Sequence, residues 1–180
     1  MHGKILAVAA ATVLSAGIAA AQQPAPSGAE ASARMMNADG EEIGTVTFNQ
    51  TKSGMLRLLV EISDLPPGPH GFHVHETGEC EGDFQSAGGH YAGAGDPEHG
   101  VEAEGGLHAG DFPNVHVGQD GVLKVEFFTD RLSLADDAET PLIDDDGSAV
   151  MIHSGPDDYA SQPAGDAGDR IACGVIEQPG

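Results

Sequence analysis

The chain has 180 residues and is strongly acidic, with 7 Lys and Arg against 29 Asp and Glu and a formal net charge of −22 at pH 7. Such a charge disfavours binding to nucleic acid or to an anionic membrane surface, and we expect neither as a partner. The length is sufficient for one domain with a hydrophobic core.

The N-terminus has the pattern of a secretory signal peptide. Lys4 supplies a positive charge, residues 5–18 form an apolar run, and three alanines at 19–21 offer the small residues of a cleavage point. The apolar run is too short for a confident membrane span. We therefore predict a signal peptide over residues 1–21, cleaved after Ala21, and a periplasmic or secreted location.

The remaining chain is predicted to consist of a tether and one domain. Residues 22–29 contain Pro24, Pro26 and Gly28, a composition typical of flexible linkers. We assign residues 30–180 to a single domain.

Short runs with a period of two follow, which is typical of β-strands with one buried face. In residues 56–62 the apolar side chains include positions 56, 58, 60 and 62, and in 123–127 the alternation is perfect. Turn sequences rich in Gly, Pro and Asp separate the runs. Eight strands are predicted near residues 31–37, 43–50, 56–62, 71–76, 114–117, 123–127, 148–153 and 170–176. Without a long amphipathic helix, this pattern indicates an all-β sandwich or barrel.

Two long segments interrupt the strand pattern, residues 77–113 and 154–169. Both are rich in Gly, Asp and Ser and lack the apolar content of strands. Loops of such length in a compact domain are usually functional or disordered. The first contains Cys80 and several histidines, and we expect a disulfide or a metal to order it.

The chain has two cysteines, Cys80 and Cys173. In an exported protein they are expected to form one disulfide, with two buried thiols as the alternative. Because this disulfide would close a loop that spans most of the domain, it would stabilise the fold by about 4 kcal/mol in the loop-entropy model.

Two histidines lie on one face of the strand predicted at residues 71–76. The alternation of a strand places His73 and His75 together, facing away from the core, with an apolar pair behind them. With the distant His153, at the end of another predicted strand, they form a nitrogen-rich group that suits copper. The alternative for the pair is two solvent-exposed polar residues.

A second candidate site lies within the first long segment. His90, His99 and His108 are spaced by nine residues each, and Asp111 follows. Three imidazoles and one carboxylate form a plausible tetrahedral set for a structural zinc ion.

Three motifs resemble those of the copper/zinc superoxide dismutases of exported, bacterial type. Residues 69–76, PHGFHVHE, resemble the copper strand of that family, and residues 86–90, SAGGH, resemble its bridging-ligand segment. Residues 165–176, GDAGDRIACGVI, resemble its C-terminal signature. The resemblance covers the chain from about residue 33 to its end. It implies an eight-stranded Greek-key β-barrel that dismutates superoxide with a redox-cycling copper and a structural zinc.

The resemblance also implies the ligands of both metals. Copper would be held by His73, His75, His90 and His153. Zinc would be held by His90, His99, His108 and Asp111. His90 would then bridge the two metals and supply a proton during turnover.

Further roles follow from the same resemblance. Arg170 would hold the superoxide anion beside copper, and Asp157 would link a copper histidine to a zinc histidine. The disulfide would connect the metal loop to the strand that carries Arg170. Without the resemblance, Arg170 is an ordinary surface residue and Asp157 an ordinary loop acid. His70 is expected to be packed, and His116 exposed.

Two competing interpretations remain. The first is a periplasmic copper/zinc-binding or copper-delivery module without turnover, and the second is a disulfide-linked interaction domain whose histidines are incidental. Both complete ligand sets and Arg170 argue against them. The sequence leaves open whether the protein is a monomer or a dimer. Because residues 154–169 contain no lysine and Asp169 adjoins Arg170, we expect weak electrostatic steering of the substrate.

Overall fold

The computed structural model describes residues 28–95 and 97–179. The predicted signal peptide and residues 22–27 of the predicted tether lie outside these ranges. The last two residues of that tether, Gly28 and Ala29, are hydrogen-bonded through their backbones to Gln50. None of the helical segments within the described ranges is long and apolar enough to cross a membrane.

The described residues form nine strands and one short 3₁₀ turn, Gln85–Ala87. The strands are β1 (Glu30–Asn37), β2 (Glu42–Gln50), β3 (Leu56–Ile62), β4 (Gly68–His70), β5 (Phe72–His75), β6 (Val115–Val117), β7 (Leu123–Thr129), β8 (Ala149–His153) and β9 (Arg170–Glu177). All eight predicted strands are present. The additional strand is β4, which precedes β5 and pairs with β6, whereas β5 pairs with β8.

The change of partner between β4 and β5 occurs at Gly71. Its N–H donates to the carbonyl of Gly155 at 2.8 Å, and its carbonyl accepts from the N–H of His153 at 3.0 Å. A Cβ at this position would lie 3.0 Å from Cβ of Ala167 and 3.1 Å from Cε1 of His73. Glycine therefore allows the strand, the loop after β8 and an imidazole to approach closely.

Seven strands form one antiparallel sheet in the order β5-β8-β9-β1-β2-β3-β7. β1 to β3 form a meander, but β3 pairs next with β7, and β9 returns to pair with β1. β4 runs on into β5 and pairs with β6, which a tight turn at 118–122 connects to β7. The sheet therefore curls into a Greek-key barrel, as predicted.

The period-two alternation places the core side chains inside the barrel. The four residues of β3 that were predicted to face inward are at most 3% exposed. On β5, Phe72 and Val74 are fully buried. Burial of each such side chain contributes roughly 1.5–3 kcal/mol. The barrel is therefore a firm support for the side chains on its outer face.

Three long connections lie outside the barrel. The first loop, residues 76–114, joins β5 to β6, and the second loop, residues 154–169, joins β8 to β9; both correspond to the long segments expected from the sequence. The third, residues 130–148, joins β7 to β8 and was not singled out by the sequence. It packs on the core through the buried Leu132, Leu134 and Leu142.

Candidate metal centre

His73 and His75 share the outer face of β5, opposite the core residues Phe72 and Val74. Both imidazoles are nevertheless fully buried. The first loop covers them, because His75 forms an isolated β-bridge with His90 and His73 forms one with Asp111. The alternative of two solvent-exposed histidines is therefore wrong. The periodicity of a strand carries no information about a loop that packs over it.

The first candidate group, called here the four-histidine group, consists of His73, His75, His90 and His153. One ligand nitrogen from each residue lies within 4.8 Å of the others. His153 ends β8, the neighbour of β5, so the strand pairing brings it beside His73 and His75. All four residues are at most 6% exposed.

One nitrogen of each ring in this group is hydrogen-bonded to the protein. These bonds join His73 Nε2 to Asp157 Oδ2 at 2.8 Å, His75 Nδ1 to the Gly88 carbonyl at 3.1 Å, His90 Nδ1 to Asp111 Oδ1 at 2.8 Å, and His153 Nδ1 to the Gly168 carbonyl at 3.2 Å. The other nitrogen of each ring is buried without a hydrogen-bond partner. A buried polar atom left in this way costs about 1–3 kcal/mol. A metal ion would satisfy all four nitrogens at once, so the donor set fits one.

Burial lowers the pKa of three histidines in the four-histidine group. The pKa falls to about 2 for His75, about 3 for His153 and about 4 for His90, because removal from water penalises the charged ring. The hydrogen bond with Asp111 opposes part of the decrease at His90. These rings are therefore neutral at pH 7, which is the form that binds a metal.

The second candidate group, called here the Asp111 group, consists of His90, His99, His108 and Asp111. Its ligand atoms also lie within 4.8 Å of one another. The Asp111 carboxylate is 2.8 Å from His90 Nδ1 and 3.1 Å from His99 Nδ1. Its Oδ2 also accepts the backbone N–H groups of Gly100 and His108, at 3.0 Å each. The carboxylate thus holds the first loop together around the site.

In the Asp111 group, pairing between carboxylate and histidine shifts the pKa values in the direction opposite to that of burial. Burial alone would raise the pKa of Asp111, but hydrogen bonds from the three histidines hold it well below its usual range. Burial alone would lower the pKa of His99, but Asp111 and Asp157 together raise it to about 9. Three imidazoles and one carboxylate provide a donor set that suits zinc.

His90 belongs to both groups. Its Nδ1 is bonded to Asp111, whereas its Nε2 is one of the four unpartnered nitrogens. Its ring centroid lies 3.9 Å from that of His73 and 5.0 Å from that of His99. The two groups therefore form one continuous centre, joined through a single imidazole.

Asp157, in the second loop, is a further connection between the groups. One of its oxygens lies 2.8 Å from His73 Nε2 and the other 3.0 Å from His99 Nε2. Burial opposes ionisation, but these two hydrogen bonds hold the pKa of Asp157 below its usual range. The carboxylate is therefore charged and orients one ring of each group.

The position of Asp157 is fixed by contacts that the sequence did not reveal. The side-chain amide of Asn114 donates to the Asp157 carbonyl and accepts from its N–H, both at 2.8 Å. A Cβ at Gly165 would lie 2.6 Å from His99 Nε2, so only glycine fits where the second loop crosses the site. Polar contacts to a distant backbone leave no periodic signal in a sequence.

Comparison with known proteins agrees with this geometry. The family described as copper/zinc superoxide dismutase (SODC) matches residues 42–176. The protein named Superoxide dismutase (Cu-Zn) 1 of Aquifex aeolicus is 43% identical over 150 residues, which cover 81% of this chain and 86% of that protein. The chain belongs to the copper/zinc superoxide dismutase family. Copper and zinc are the cofactors of this family, as predicted, and the two donor sets suit them.

Solved structures similar to this chain have the same fold. A superoxide dismutase-like protein from Bacillus subtilis superposes with a TM-score of 0.76 and 35% identity, over 80% of this chain and 96% of that one. The Cu/Zn superoxide dismutase from Brucella abortus gives a TM-score of 0.66 and 34% identity, over 82% of this chain and 99% of that one. The predicted Greek-key barrel is therefore confirmed.

Arg170 lies at the start of β9, beside the four-histidine group of this dismutase-family chain. Its two terminal nitrogens donate to the carbonyls of Phe84 and Gly88, each at 2.6 Å. The Gly88 carbonyl also accepts from His75 Nδ1. The guanidinium is therefore held by the first loop through an oxygen that it shares with one of the four histidines.

The predicted disulfide between Cys80 and Cys173 is present. It joins the first loop to β9, three residues beyond Arg170. The loop segment that supports Arg170 and His75 is thus covalently tied to the strand on which Arg170 begins.

The two remaining histidines of the described residues, His70 and His116, lie where the sequence placed them. His70 is buried, with Nδ1 2.8 Å from the carbonyl of His153 and Nε2 2.8 Å from that of Pro66. His116 is exposed on β6. The sequence missed Gln162, whose amide accepts from the N–H of His99 and donates to its carbonyl, both at 2.8 Å.

Proposed function

We propose that this chain catalyses the dismutation of superoxide, in which two superoxide anions and two protons give dioxygen and hydrogen peroxide. Copper would be held by His73, His75, His90 and His153, and zinc by His90, His99, His108 and Asp111. The observation that carries the proposal is the set of four buried nitrogens, one per histidine, that converge without hydrogen-bond partners. Copper bound there would supply the one-electron redox chemistry of the reaction.

Arg170 is assigned to substrate binding. Its guanidinium is half-buried and fixed by two carbonyls, so little conformational freedom is lost when it binds an anion. Arginine remains charged at all relevant pH values and forms strong hydrogen bonds to oxyanions. Arg170 would therefore orient superoxide beside the four-histidine group.

His90 is assigned to the bridge between the metals and to proton delivery. Its Nδ1 is held on the side of Asp111 while its Nε2 points to the four-histidine group. A ring fixed at one nitrogen can hold a proton at the other without changing orientation. His90 Nε2 is thus the atom from which we expect a proton to reach the reduced oxygen.

Asp157 and the Asp111 group are assigned to orientation. Asp157 accepts hydrogen bonds from one histidine of each proposed metal site. Partners of this kind set the tautomer and the direction of ligand rings. The zinc side would therefore act mainly by positioning His90.

We further propose that the protein is exported, with residues 1–21 as a cleaved signal peptide, residues 22–29 as a tether and residues 30–180 as the enzymatic domain. The disulfide supports this location, since such bonds persist mainly in oxidising compartments. Intact-mass measurement of the exported protein should give a chain that begins at Gln22. A mature chain that still carries Met1 would contradict the proposal.

The central experiment measures metal content and superoxide consumption on the same purified sample. We expect about one copper and one zinc per chain, together with rapid superoxide consumption. His153→Ala should lose copper and activity, whereas the matched control His116→Ala, on the exposed face of β6, should retain both. A wild-type protein that binds both metals without turnover would instead support a metal-binding or copper-delivery module.

A further inference from the structure

Arg131 lies outside the motifs of the sequence, yet it contacts the Asp111 group. It follows β7 by two residues, and its Nη2 donates to the backbone carbonyl of Asp111 at 2.6 Å. A charged donor at this distance makes a strong hydrogen bond. Arg131 is half-buried, and it is one of only 7 Lys and Arg residues in the chain.

The side chain of Arg131 is constrained along its length. Its Cζ lies 5.8 Å from the ring centroid of Phe112, within the range of a cation–π interaction. Phe112 itself is buried and packs edge-on against Phe72, with ring centroids 5.6 Å apart. The guanidinium is therefore anchored to the core beside β5.

The carbonyl that Arg131 holds belongs to the residue on which the Asp111 group depends. The backbone N–H of Asp111 donates to the carbonyl of His108 at 3.1 Å, a contact within the first loop itself. Arg131 adds a tie from outside that loop, next to the barrel. Because both main-chain groups of Asp111 are held, its carboxylate points to His90 and His99 in a fixed direction.

Arg131 and Arg170 hold the first loop at two separate places. Arg170 donates to carbonyls of residues 84 and 88, near the four-histidine group, and Arg131 donates to the carbonyl of residue 111, at the Asp111 group. Arg170 is the arginine assigned above to substrate binding, whereas Arg131 lies at the main chain of Asp111 and over the ring of Phe112.

We propose that Arg131 is a positioning residue of the zinc site: by fixing the main chain of Asp111 against the barrel, it sets the direction of the carboxylate ligand and tightens zinc binding. This rests on the zinc site proposed above. Outer contacts to metal ligands typically change metal affinity by roughly 10- to 100-fold when removed.

The test uses the full-length mature protein after metal removal, with Arg131→Met and Arg131→Lys. Arg57→Met is the matched control, since Arg57 is also a partly buried arginine, but it lies on β3, where it donates to Asn49 Oδ1 at 3.3 Å and pairs with Glu126 at 3.6 Å. Zinc affinity is measured by competition with a chromogenic chelator. The absorption spectrum of Co²⁺ bound in place of zinc reports the ligand geometry, and thermal unfolding of the metal-free protein reports stability.

Arg131→Met should bind zinc about 10-fold or more weakly and should change the cobalt spectrum. Arg131→Lys should give an intermediate affinity, because one ammonium group lacks the planar fork of arginine. Arg57→Met should match the wild type. If Arg131→Met does not fold, weakened zinc binding by Arg131→Lys carries the proposal, and wild-type affinity overturns it.

A purely structural role gives a different result. Arg131→Met would then lower the unfolding temperature while zinc affinity and the cobalt spectrum stayed as in the wild type, and this would overturn the proposal. A wild-type protein that binds no zinc would overturn the zinc site itself, which distinguishes failure of the proposed function from failure of this inference.

Discussion

The two halves of the metal centre are built in different ways, although His90 belongs to both. Three members of the four-histidine group lie on β5 and β8, which are paired strands of the barrel. All members of the Asp111 group lie on the first loop, whose described residues form one 3₁₀ turn and isolated bridges but no strand. One half is therefore placed by strand register, and the other by hydrogen bonds to a carboxylate.

The chemical state of the two halves differs accordingly. Burial in the four-histidine group keeps three rings neutral, with unpartnered nitrogens directed at one another. In the Asp111 group His90 and His99 are paired with carboxylates, and the pKa of His99 rises to about 9. The first half is thus placed mainly by paired strands, with His90 added from the first loop, whereas the second depends on charges that hold that loop in place.

The largest expected effect comes from breaking the strand-borne half. His75→Ala removes one of four converging nitrogens but leaves the pairing of β5 with β8 intact. We expect copper and superoxide consumption to fall to background while zinc stays bound, since the Asp111 group does not include His75. Metal analysis and the dismutase assay on one sample measure this. Loss of both metals would show that the halves are not separable.

A smaller effect is expected from the residue that connects the halves. Asp157→Asn replaces one carboxylate oxygen by an N–H donor, which cannot accept from an imidazole. Affinity for both copper and zinc should decrease by roughly 10-fold. Metal competition titrations check this, with Asp158→Asn as control because Asp158 is exposed and bonded to Ser161. A decrease for one metal alone would argue against a shared support.

Removal of the substrate contact should spare both halves. Arg170→Ala deletes the anion-binding guanidinium, and we expect both metals to be retained. The rate at low superoxide concentration should fall about 10-fold, because one charge-assisted hydrogen bond to the substrate is lost. Arg170→Lys should recover part of the rate. Arg34→Ala, an exposed cation on β1, is the control. Unchanged activity of Arg170→Ala would contradict the assignment of the substrate site.

The smallest expected effect concerns long-range charge. The chain has a net charge of −22, and the second loop contains no lysine. Charges beyond about 8 Å are largely screened at physiological ionic strength. Between about 0.05 and 0.5 M salt the wild-type rate should therefore change by less than about two-fold. A steep decrease with added salt would reveal an attractive field at the copper side.

Much of the scaffold could be predicted because strand periodicity is a local property. Alternation at 56–62 and 123–127 indicated β3 and β7, and the low apolar content of two segments indicated long loops. The break at Gly71 was not predicted, because it depends on a carbonyl of residue 155 and on the close approach of Ala167. Contacts between residues so far apart in the chain leave no local pattern in the sequence.

The sequence by itself determined that His73 and His75 share a face, and that three histidines and an aspartate recur along one polar loop. Its motifs also indicated the family. Only the tertiary structure decided that this face is buried and which nitrogen of each ring is left unpartnered. It alone revealed the support from Asn114, Gln162 and Arg131, whose partners are backbone groups far along the chain. Side-chain alternation follows from local backbone geometry, whereas these contacts exist only once the loops are packed against the barrel.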